Sequence, residues 1–170
     1  MSHFEQHRFV QGVKGRFPEY FSNKRVLEVG SLNINGSVRQ FFDSCAYTGV
    51  DLAPGKDVDR IGPVHILTFD RPFDTVISCE CFEHDKHWKE TFQKMYDECT
   101  GLVVFTCATE GRPEHGTTRT SPHDAPFTND YYMNLTEQDF RNNFDLDKMF
   151  RQYEFSKNER PADLYFWGLM

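Results

Sequence analysis

Arg25-Val26-Leu27-Glu28-Val29-Gly30-Ser31-Leu32-Asn33-Ile34-Asn35-Gly36-Ser37 is the stretch that decides the fold. A short strand-forming run ends at a glycine, which lets the chain turn sharply and lets a ligand come close to the backbone. Gly30 to Asn35 reads as a loop, and Gly36 and Ser37 open a helix that buries Val38, Phe41 and Phe42. Ala46 to Val50 then reads as a second strand that stops at Asp51, 21 residues beyond Gly30. A carboxylate at the end of the neighbouring strand can accept bonds from both hydroxyls of a ribose.

Working outward, Phe4, Phe9, Val10, Val13 and Phe17 recur at near-helical spacing until Pro18, which predicts a short helix ending before it. Phe73 to Ser78 reads as a further strand. Trp88, Phe92, Met95 and Cys99 share one face of a helix over Lys86 to Glu98, which Gly101 ends. Leu102 to Phe105 is apolar at every position, the pattern of a central parallel strand covered on both faces. Alternating strands and helices imply an α/β sheet with right-handed crossovers. A polar segment follows from Glu110 to Asn134, and compact domains seldom carry a structureless loop of that length without a function. Thr136 caps a short helix through Phe140, and Leu164 to Trp167 supplies a closing strand.

Composition excludes several classes. With 170 residues the chain suits one domain. The longest apolar run is Leu102 to Phe105, far short of the roughly 20 residues of a membrane-spanning helix. No apolar stretch of signal-peptide length opens the chain, so a cytoplasmic location is expected. Five cysteines, none at C-x-x-C spacing, predict reduced thiols rather than a disulfide framework or a zinc knuckle. A net charge of −7 disfavours extended contact with nucleic acid or anionic lipid. The 17 phenylalanines point to an aromatic core.

The loop after the first strand narrows the ligand. A dinucleotide fingerprint needs G-x-G-x-x-G, but the corresponding positions are Leu32 and Asn35, which disfavours a nicotinamide-dependent oxidoreductase. The lysine of a phosphate-binding loop is also missing. Glu28, two residues before Gly30, would repel a phosphate and attract a cation. The pattern suits a positively charged nucleoside without phosphate.

These segments resemble the class I S-adenosylmethionine-dependent methyltransferases, particularly small members of the type 11 group. Glu28 to Gly36 is similar to their first motif, and Tyr47-Thr48-Gly49-Val50-Asp51-Leu52 to their second. Phe73 to His84 resembles their fourth strand with its trailing Glu83-His84 pair, and Gly101 to Thr106 their fifth strand. The resemblance implies a Rossmann-like three-layer sandwich, its central sheet mostly parallel with an antiparallel C-terminal strand. Within residues 1–170 it implies a helical segment (1–24), a cofactor-binding core (25–109) and a substrate loop with C-terminal elements (110–170). It implies S-adenosyl-L-methionine as cofactor, held by Glu28, Gly30, Ser31, Gly36, Asp51, Leu52 and Cys79. Val64 and His65 stand where the family often has an acid beside the adenine.

Methyl transfer to a hydroxyl or amine calls for a proton acceptor, and His84 and His115 are the candidate bases. Glu80, Glu83, His84, Asp85 and His87 read as the acid-rich start of a helix. A metal needs three or four converging ligands, so no metal site is expected there. No D/N-P-P-Y/F run or Pro-Cys pair points to a nucleic-acid base, which leaves a small polar acceptor such as a sugar or a metabolite hydroxyl or amine. A non-catalytic module that binds S-adenosylmethionine or a nucleoside within a larger assembly is the alternative.

Overall fold

In the computed structural model, which describes residues 3–170, seven strands form one sheet. They are β1 (Arg25–Val29), β2 (Ala46–Asp51), β3 (Arg60–Ile61), β4 (Phe73–Cys79), β5 (Cys99–Ala108), β6 (Gln152–Asn158) and β7 (Asp163–Leu169). Their spatial order is β3-β2-β1-β4-β5-β7-β6. β3, β2, β1, β4 and β5 run parallel, and β7 lies antiparallel between β5 and β6. The chain leaves β1 for one side of the sheet and returns on its other side at β4. That reversal places a crevice at the carboxyl ends of β1 and β4.

Alternation along the strands divides the core into two layers. Val103, Phe105 and Cys107 of β5 and Leu164 and Phe166 of β7 face one layer, covered by α2 (Trp88–Asp97), α3 (Glu137–Asn143) and α4 (Leu146–Met149). Leu102, Val104, Trp167 and Leu169 face the other, covered by Val10 and Val13 of α1 (Phe4–Arg16). In β4 the pairing register shifts between Phe73 and Thr75, so Phe73 and Val76, three apart, reach the same layer. The first layer is aromatic, with Phe105 stacked between Phe140 at 4.6 Å and Phe166 at 4.9 Å.

Local chemistry explains the helix ends. The His3 side chain accepts the Gln6 backbone N–H and the Gln6 side chain accepts that of His3, a reciprocal cap that starts α1. Thr136 and Asp139 do the same for α3. Among the described residues no helix is long and apolar enough to cross a membrane, and all five cysteines are free thiols.

Three expectations are corrected. The helix predicted after Gly36 is a single 3-10 turn, Val38–Phe41, that buries Val38 and leaves Phe41 half-buried. Gly101 does not end α2, which stops at Asp97; it lies inside β5, where a Cβ would stand 2.4 Å from Tyr20 and 2.5 Å from the Asp74 carbonyl. The antiparallel tail holds a second strand, β6, whose Tyr153 and Phe155 pack inward while Glu154 and Lys157 guard the outer edge.

Truncating Phe105 to alanine should cost about 3–5 kcal/mol, because its ring has neighbours on both sides and the site cannot collapse. In a chain of this size that lowers the melting temperature by roughly 10 °C, which calorimetry would measure. An unchanged melting temperature would contradict the packing described.

Candidate active site

A cleft of about 980 Å³, measured out to its open mouth, lies at the carboxyl ends of β1, β2 and β4. Gly30 makes the first turn at φ +77°, and a Cβ there would stand 2.7 Å from the Cys81 Cβ. Both the backbone conformation and the closeness of the next strand end therefore demand glycine. The Gly30 and Ser31 N–H groups both donate to the Val50 carbonyl, at 2.9 and 3.1 Å, pinning the loop to β2. Asn33 then does what further glycines would do elsewhere. Its side-chain oxygen accepts the Gly36 N–H at 2.9 Å and its amide donates to Asp57 at 2.6 Å, folding the loop back on itself.

Asp51 accepts the Leu32 N–H on Oδ2 at 2.9 Å and the Ala53 N–H on Oδ1 at 3.1 Å. A carboxylate offers about four acceptor positions, so each oxygen keeps capacity toward the cleft. Glu28 is buried in the cleft floor and accepts the Tyr47 hydroxyl at 2.8 Å. Burial pushes its pKa up to about 8, and the Tyr47 bond only partly opposes this. The free protein therefore holds Glu28 largely protonated at neutral pH, ready to ionise toward an arriving cation. The buried Ser31 hydroxyl also lines the cleft and has no partner among the described residues.

All nine residues expected to hold the cofactor, Glu28, Gly30, Ser31, Gly36, Asp51, Leu52, Val64, His65 and Cys79, line this one cleft. Val64 and His65 reach it from a 3-10 turn, Val64–Ile66, rather than from the end of a strand. Leu52 and Ile34 are partly exposed apolar residues on its wall. Sequence reading missed Gln6, which reaches in from α1. The long polar segment, expected to serve the substrate, brings Asp124 to the cleft together with Ala125, Pro126 and Thr128, which sequence reading did not single out. Among the described residues that segment carries no helix or strand between Ala108 and Glu137.

Of the two candidate bases, His84 lines the cleft and His115 does not. They pack edge to face with ring centroids 4.9 Å apart. Burial lowers the pKa of both, that of His84 to about 3. Glu83, fully buried, lies 3.8 Å from His115 Nε2. This is not an ion pair at neutral pH, since burial also raises Glu83 to about 8. The donor atoms of Glu83, His84 and His115 lie within 4.8 Å of one another, so the convergence not expected from sequence is present. A second cluster joins His3, Glu80 and Asp163. There the cation position is taken by Arg112, 2.7 Å from Asp163 and 3.9 Å from Glu80.

No protein-family model and no curated protein matches the sequence. Solved structures do. The N-terminal domain of EvdMO1, crystallised with S-adenosylhomocysteine and D-fucose, has a TM-score of 0.66 at 14% identity over 99% of this chain and 84% of its own. Magnesium protoporphyrin IX methyltransferase from Synechocystis PCC 6803, with S-adenosylhomocysteine bound, has a TM-score of 0.58 at 13% identity over 99% of this chain and 88% of its own. Phosphoethanolamine N-methyltransferase 2 of Haemonchus contortus, in complex with S-adenosyl-L-methionine, has a TM-score of 0.64 at 16% identity over 95% of this chain and 52% of its own. The fold is that of the class I S-adenosylmethionine-dependent methyltransferases. Within this methyltransferase fold the loop after Gly30 is braced internally by Asn33.

The buried carboxyl gives a pH signature. A group whose pKa is raised by folding supports the native state at low pH and loses that support as pH climbs from its unfolded value of 4.5 to about 8. Removing the charge in Glu28→Gln should cancel the loss. Its stability relative to the parent should then gain about 1.4 kcal/mol per pH unit across that window, read from urea unfolding at pH 5, 6.5 and 8. Parallel stability curves would show that Glu28 is not desolvated.

Proposed function

We propose that this chain is an S-adenosylmethionine-dependent methyltransferase acting on a small polar acceptor such as a sugar or a metabolite hydroxyl or amine. The observation that carries the reading is the pair Glu28 and Asp51. Two acids from adjacent strand ends share one cleft at the point where the strand order reverses, beside a loop with no phosphate-binding features. Asp51 has spare acceptor capacity for the ribose hydroxyls. Glu28 answers the positive charge, and Leu52 and Ile34 offer apolar surface to the adenine. Ser31 brings an unsatisfied hydroxyl to the methionine end.

When bound, the cofactor supplies an activated methyl group on a sulfonium whose leaving group is a neutral thioether. The protein's task is then chiefly to align the acceptor and exclude water. His84, Asp124 and Thr128 give the cleft polar walls on the acceptor side. His84 serves there as a wall, because an imidazole held near pKa 3 is a poor general base at neutral pH. The acceptors of the structural neighbours range from a porphyrin to phosphoethanolamine, so the shared fold leaves acceptor choice to these wall residues.

Calorimetric titration with S-adenosylmethionine tests the reading, followed by transfer of a tritiated methyl group to pooled polar metabolites. Asp51→Ala and Glu28→Gln should each weaken binding about tenfold or more, matching a lost charge-assisted contact of about 1.5–3 kcal/mol. Binding that is tight but transfers nothing would favour the non-catalytic module, and absence of binding would overturn both readings.

A further inference from the structure

We propose that Glu83, His84 and His115 form a binding site for one divalent transition-metal ion, with zinc as the best-matched species. The evidence is a convergence of buried groups with nothing to satisfy them. Glu83 is fully buried, and neither carboxylate oxygen has a hydrogen-bond partner among the described residues. His84 Nδ1 and His115 Nε2 are likewise buried without partners. Unpaired buried polar atoms are rare in folded proteins, and four in one cluster call for a ligand.

The second ring nitrogen of His115 fixes which of its lone pairs is free. His115 Nδ1 lies 3.1 Å from the Pro113 carbonyl, which can only accept, so Nδ1 carries the proton and Nε2 presents its lone pair. A backbone bond to the distal nitrogen, as from His115 to Pro113, is the usual outer support of a metal-bound imidazole. The spacing agrees. The three donor atoms lie within 4.8 Å of one another and the Glu83–His115 pair is 3.8 Å apart, too long for a hydrogen bond. Ligand atoms of a tetrahedral zinc site with bonds of about 2.1 Å stand roughly 3.4 Å apart, so an inward movement completes the set.

Donor chemistry selects the ion. Two imidazoles and one carboxylate suit zinc or another late first-row ion, whereas magnesium and calcium prefer all-oxygen shells. Three protein donors leave a coordination position for water or another oxygen ligand. The site also has a mechanical consequence. Glu83 and His84 lie in the 3-10 turn Phe82–His84 after β4, while His115 belongs to the long segment that brings Asp124, Ala125, Pro126 and Thr128 to the cleft. The ion would fasten that segment to the sheet, reinforcing the 2.9 Å bond from the Met133 N–H to the Glu83 carbonyl. The inference stands on these contacts and does not require the methyltransferase reading.

The test uses the full chain without a histidine tag, stripped with a chelator and titrated with zinc chloride by calorimetry, with elemental analysis for stoichiometry. One equivalent should bind, and zinc should slow tryptic cleavage at the exposed Arg119. Glu83→Gln and His115→Ala should each weaken binding at least tenfold and abolish the protection, with far-UV circular dichroism confirming that both fold. His87→Ala, which breaks the other close imidazole pair (His65 and His87, 4.7 Å), should bind like the parent. Sub-stoichiometric binding, or an affinity unchanged in both ligand variants, would overturn the site.

Discussion

Glu28 places a carboxyl group inside a sheet of apolar strands with one hydroxyl, that of Tyr47, to satisfy it. Burying a charge there is costly, so the free protein keeps the proton and the cleft floor stays close to neutral. A cation changes the balance by making the ionised form worthwhile. The rest of the cleft is arranged around that spot. Gly30 turns the chain away before a side chain can fill it, Cys81 closes against the turn, and Val50 holds the loop by accepting two N–H groups. Burial likewise raises the thiols of Cys79 and Cys81, so neither adds a thiolate charge beside Glu28.

The elements that position the cleft were legible because their signals are local. Strand alternation, the glycine after β1, the acid at the end of β2 and the apolar run of β5 each depend on a few neighbouring residues. Asp51 and Gly30 could be paired from spacing alone, since a β–turn–β unit of that length leaves few other arrangements. The helix after Gly36 failed for a related reason. Ser44, at φ +53°, turns the chain into β2 so soon after Val38 that only one 3-10 turn fits between.

What the sequence hid was every feature made by distant segments meeting. Gly101 reads locally as a helix stop, but its smallness answers to Tyr20 and Asp74, which approach β5 from elsewhere. Gln6 reaches the cleft only because α1 folds across the sheet, and its amide lies 3.4 Å from Thr106 on β5. Glu83 and His115 are 32 positions apart with no periodic relation. They meet because a chain without regular structure is tied down at its two ends, by Thr109 to Ala162 and by Leu135 to Ala108. Residue spacing carries no trace of such a closure.

The placement of β7 between β5 and β6 has a consequence for biogenesis. β5 is apolar on both faces, yet one of its edges is covered by a strand that the ribosome makes more than 50 residues later. Until residues 163–169 emerge, the nascent chain presents a long, open, adhesive strand edge. Its aromatic partners Phe140 and Phe166 are still unmade or unplaced at that stage. The inner strand β5 is therefore sealed on this side only by a strand late in chain order.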